Sequence, residues 1–116
     1  PRRSDCLRRA LLLHEWRHMR DFLSGRAQPF MLTQTAPETF AQELDLLEFE
    51  YRGALEHLNA SRTGGCPEED WIGRAYRQGG LPRLRWAIAN NYGILARHPD
   101  QKKTIWNACK WLPWEP

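Results

Sequence analysis

The chain has no apolar run long enough to cross a bilayer. Its longest purely aliphatic stretch, Ala10 to Leu13, covers four residues, against the roughly 18 that a spanning helix needs. The same stretch is too short for the core of a secretion leader, and the acid Glu15 follows it. Neither a membrane partner nor a leader is therefore expected, and the compartment stays open between cytoplasm and secreted effector. Cysteine is scarce. Cys6, Cys66 and Cys109 are far apart and form no C-x-x-C pair, which argues against a disulfide framework and against a cysteine-rich zinc site. A reduced environment is the plain expectation, with one disulfide and a spare thiol as the alternative. Strand-like alternation is sustained nowhere, which speaks against a sheet. Acid is scarce in one half only. Residues 72–116 carry 8 Lys/Arg and 2 Asp/Glu, whereas residues 1–71 carry 9 and 12. The net charge of +3 hides that split, which points either to an acidic partner or to one half neutralising the other.

What is present is helical. The 116 residues are 41% hydrophobic and 27% charged, enough for one folded domain with a modest core. Ser4 or Asp5 caps a first helix to about Ser24, with Gly25 as its stop. Leu7, Leu11, His14, His18 and Phe22 fall on one stripe of it. The segment 26–34 is expected as a loop or short extended piece. Thr35-Ala-Pro-Glu38 reads as a capping box opening a second helix to about Ala60, with Phe40, Leu44, Leu47, Tyr51, Leu55 and Leu58 inward. Pro67 opens a third helix, closed by Gly79-Gly80. Pro82 opens a fourth, with Leu84, Ala87, Ile88, Tyr92 and Leu95 inward. Pro99 starts a fifth, which Pro113 ends. The expectation is a single all-α domain over residues 1–116. Two long antiparallel helices fill residues 1–60, and a basic, tryptophan-rich half follows.

The chemistry sits in His14-Glu15-Trp16-Arg17-His18. Residues four apart on a helix point the same way, so His14 and His18 form a pair on the expected buried stripe. Buried imidazoles need partners for both nitrogens, and a cation between them would serve both. This is the H-E-x-x-H spacing of a zinc site, in which two histidines bind the ion and the glutamate handles protons without binding it. Roughly one chain in a hundred of this composition would show the pattern by chance. A third ligand is required, and the second helix offers Glu43, Glu48 and Glu50. Taken around the apolar stripe, Glu43 and Glu48 lie closer to it than Glu50 does.

H-E-x-x-H with Glu48-Phe-Glu50-Tyr-Arg some thirty residues on resembles gluzincin-type zinc metallopeptidases, in particular compact bacterial and phage-associated peptidase domains. The resemblance covers residues 7–58. It implies Zn²⁺ held by His14, His18 and Glu48, and water activated at the zinc attacking a peptide bond with Glu15 as general base. It implies Tyr51 or His57 at the oxyanion, with Tyr51 preferred. A protein or peptide substrate follows, in the setting of an effector or toxin. Such peptidases place a sheet before the motif, and 13 residues precede His14. The resemblance therefore implies a partner chain or an upstream region carrying that sheet.

The rival reading is a non-enzymatic binding module. Trp71, Trp86, Trp106, Trp111 and Trp114 interleave with Arg74, Arg77, Arg83, Arg85, Arg97, Lys102 and Lys103. Such a surface stacks bases and contacts phosphates, or meets an acidic protein. Nucleic acid is the weaker expectation, because no RNP or KH signature accompanies it. The apolar tail from Trp111 to Pro116 is expected to fold back on the domain or to dock on a partner.

Overall fold

The computed structural model describes residues 4–33, 35–67 and 69–111, without the side chains of Lys110 and Trp111. Among the described residues six α-helices follow in order: α1 (Asp5–Leu23), α2 (Pro29–Thr33), α3 (Phe40–Thr63), α4 (Trp71–Asn91), α5 (Ile94–Arg97) and α6 (Lys102–Trp111). A 3-10 turn, Pro99–Gln101, leads into α6. No strand occurs among the described residues, and no described helix is long and apolar enough to cross a membrane. The expected tail packing, residues 112–116 and the Trp111 side chain, lies outside the described residues, as does Pro113.

Local chemistry sets the ends. Ser4 caps α1, its Oγ accepting from Leu7 N–H at 3.2 Å, and Gly25 leaves the helix at φ 77°. The second long helix starts later than Thr35 suggests. Pro37 disfavours helical geometry at Ala36, which would have to be the first helical residue. Thr39 takes over as cap, its Oγ1 accepting from Gln42 N–H at 3.1 Å, while the Gln42 side chain reaches back to Glu38 N–H at 2.7 Å. Asp70, not Pro67, opens α4 through Gly73 N–H. The expected break at Gly79-Gly80 is a kink inside α4, where Gly80 takes φ 71°. Segment 26–34 contains the short helix α2 rather than an extended piece.

Helices α1 and α3 run antiparallel. Asp21 pairs with Arg52, His18 with Glu50 and Arg17 with Glu56, while Cys6 is bonded to Cys66 beyond the far end of α3. That disulfide, with Cα atoms 5.4 Å apart, replaces the expectation of free thiols; Cys109 alone is free, and it is buried. Helix α3 has two packed sides. Leu47, Tyr51, Ala54 and Leu58 join Ile72, Leu84, Ile88, Ile94, Ile105 and Cys109 in the apolar core with α4, α5 and α6. Toward α1 the seam is polar. From α1 only Leu7 and Ala10 are buried apolar residues, beside buried His14 and Asp21. The expected stripe is therefore rotated: Leu11 is 36% exposed and Phe22 half-buried. Asp21 takes the buried place because Arg17 (3.2 Å) and Arg52 (2.6 Å) both donate to it, which offsets the cost of burying a carboxylate.

Candidate metal centre

The seam between α1 and α3 brings His14, His18 and Glu50 together. One ligand-type atom from each lies within 4.8 Å of the others. His18 Nε2 is 2.9 Å from Glu50 Oε1, and the two imidazoles meet edge to face at 4.8 Å between centroids. Both rings rest on the backbone of α3 at Gly53. A Cβ there would stand 2.5 Å from His18 Cε1 and 2.7 Å from His14 Cδ2, closer than real contacts allow. Only glycine leaves room for the pair.

The two imidazoles are held differently. His18 stacks on Phe49 at 4.2 Å and 22°, and its Nδ1 is buried without a hydrogen-bond partner among the described residues. His14 ends a relay. Its Nδ1 is 3.4 Å from His57 Nδ1, and His57 Nε2 is 2.5 Å from Asp70 Oδ2. Burial raises the Asp70 carboxyl, but the hydrogen bond from His57, the Gly73 N–H, the His57 charge and the Ile72 N–H outweigh it, so it sits below the usual carboxylate range. An ionised Asp70 only accepts, so His57 carries its proton on Nε2. The 3.4 Å contact between the two Nδ1 atoms holds one proton; where His14 donates it, the lone pair of His14 is left on Nε2. Burial, then His18 and His57, push the His14 imidazole down to about 4, with Asp70 opposing. It is neutral at physiological pH, the form that binds metal.

Glu50 is held in turn by Tyr92. Burial, the Glu50 charge, the hydrogen bond to Glu50 and the charge of Glu15 together raise the phenol well above its ordinary value. Its O–H is thus a fixed donor to the carboxylate. The group opens into a cleft of about 640 Å³, also lined by Glu15, His57, Asp70, Phe30 and Trp71. Glu15 is exposed on that wall, outside the His14–His18–Glu50 group.

The other expected residues lie elsewhere. Glu48 is turned to Arg52, 3.8 Å away, and is not part of the histidine group; Glu50 stands in the place expected for it. Glu43 is fully buried and carries Arg97 at 2.8 Å and His98 at 2.7 Å. Tyr51, expected at the oxyanion, is 0% exposed in the core, with the Arg85 guanidinium 3.9 Å over its ring, and it does not line the cleft. Of the two residues named for that role, His57 is the one that reaches the cleft. Asp70 and Gly53 were not singled out from the sequence, and Tyr92 was expected only as an inward residue of the core. Gly53 had a signal, because glycine inside a strong helix costs about 1 kcal/mol and wants a reason.

No family model, no curated protein and no solved structure matches the chain. Two imidazoles and a carboxylate on a glycine floor, with ligand atoms within 4.8 Å of one another, could hold a metal ion.

Proposed function

We propose that this domain is a zinc-dependent hydrolase of the peptidase type, with His14, His18 and Glu50 as ligands and Glu15 as general base. The observation that carries the reading is the convergence of those three ligands within 4.8 Å in a cleft whose wall also presents Glu15. Zinc held there would supply a Lewis acid that polarises a carbonyl and makes water nucleophilic near neutral pH. The protein's own groups do the rest. Glu15 takes a proton from the attacking water as its oxygen joins the carbonyl carbon. The same proton goes to the amide nitrogen as the C–N bond breaks. Tyr92 fixes the Glu50 carboxylate, and the Asp70–His57 relay fixes His14. The cleft is of a size that takes a short peptide segment, and Phe30, Met31, Phe49 and Trp71 give it apolar walls.

The basic half offers less to nucleic acid than its composition suggests. Trp71 and Trp86 pack against the core, Arg85 is buried, and Arg97 and Arg77 are tied to Glu43 and Glu69. A metal used only to clamp α1 to α3 is separated from a hydrolase by Glu15→Gln. The hydrolase reading expects that variant to keep about one zinc per chain while peptide hydrolysis falls roughly 10²–10⁴-fold. Unchanged turnover, or none in the zinc-loaded protein, would leave the clamp.

A further inference from the structure

Helix α1 has a second apolar face, and the fold leaves it uncovered. Leu12, Trp16, Met19 and Leu23 are 70%, 55%, 47% and 75% exposed. At 100° per residue they fall within about 60° of one another, on the side opposite Leu7, Ala10, His14 and Asp21. Their 4-3-4 spacing makes a continuous stripe over three turns. Its borders are basic. Arg8, Arg9 and Arg20 flank it and Arg26 follows the helix end, all exposed. Nearby acids are Asp5, paired with Arg8 at 3.3 Å, Glu56 of α3, 3.9 Å from Arg20, and Glu15, which lines the cleft.

Two occupants suit an apolar helix face of this length, and magnitude chooses between them. Four such side chains expose on the order of 500 Å², whereas a stable pair of chains buries about 800 Å² on each partner. A two-fold pairing would also set one row of arginines against another. A lipid surface asks less, because a helix lying in the interface needs a shallow apolar stripe with tryptophan in it and cations at headgroup level. Lying on a bilayer is a different requirement from spanning one, which no described helix can do. We propose that α1 docks on an anionic lipid surface through Leu12, Trp16, Met19 and Leu23, with Arg8, Arg9 and Arg20 against the headgroups.

Co-sedimentation of the whole chain tests this, with vesicles of phosphatidylcholine alone and of phosphatidylcholine mixed with phosphatidylglycerol. The expected result is binding to the mixed vesicles only, weakened by added salt. Leu12→Ser with Leu23→Ser should lower that partition roughly tenfold or more, and Arg9→Glu with Arg20→Glu should also abolish the preference. These side chains are exposed, so the thermal melts of both variants should match the parent, which separates lost docking from lost folding. Absence of binding to anionic vesicles, or binding indifferent to the leucine pair, overturns the proposal. A concentration-dependent dimer that the leucine pair abolishes assigns the stripe to a second copy and overturns it too.

Discussion

Asp70 uses its two oxygens for two tasks. Oδ1 caps α4 by accepting from Gly73 N–H at 3.1 Å, and Oδ2 accepts from His57 Nε2. Asparagine caps a helix as well as aspartate does, but it cannot both cap and accept from His57 as an anion. Asp70→Asn should therefore leave α4 helical, as judged by circular dichroism, and weaken zinc binding about 10–100-fold, the usual cost of losing such an outer partner. A competition titration against a chelator reads this, and an unchanged affinity would remove the relay from the account. Nothing in the sequence joins Asp70 to His14, because the link runs through a contact between α3 and the start of α4. His14 and His18 themselves were legible, since four residues on one helix fix their common direction. Glu50 was harder. It was weighed with Glu43 and Glu48, but a helical wheel centred on the apolar stripe ranks a residue by its distance from one face, and α3 has two packed faces. Glu50 lies on the second.

At the scale of elements, α3 carries the design. One side supplies Leu47, Tyr51 and Leu58 to the core, and the other presents Glu50, Gly53 and His57 to α1. Tyr51 was misplaced for the same reason as Glu50: its neighbour in sequence belongs to the site, and it belongs to the core. Gly53→Ala tests the floor of the site. Alanine should help the helix by about 1 kcal/mol, but its Cβ meets His18 at 2.5 Å. The rings must then retreat by about 0.5 Å or more, enough to spoil a preorganised ligand set. The expected outcome is full helicity with zinc affinity at least roughly tenfold weaker, measured by the same titration. Helix ends were mostly legible, because Ser4, Gly25 and the Gly79-Gly80 kink are local signals. The start of α3 was not, since Thr35 and Thr39 both precede capping patterns and only the restriction Pro37 puts on Ala36 decides between them.

Across the whole molecule, the all-α class followed from helical spacing everywhere, while the disulfide did not, because cysteines 60 residues apart carry no pairing signal. The bond matters because α1 adds only Leu7 and Ala10 to the buried apolar set and is otherwise held by ion pairs and by the histidine group. Closing a loop of that length is worth about 4 kcal/mol on the chain-entropy scale. Cys6→Ser with Cys66→Ser should lower the unfolding free energy by about that amount in a denaturant titration; a loss near zero would mean that the seam holds α1 unaided. The central claim is that α1 and α3 grip one divalent ion through His14, His18 and Glu50, and metal analysis of purified protein after dialysis tests it most directly. The account predicts about one zinc per chain, lost in Glu50→Ala and kept in Glu48→Ala. A chain that holds no zinc, or one that loses it with Glu48 and keeps it without Glu50, would contradict the account.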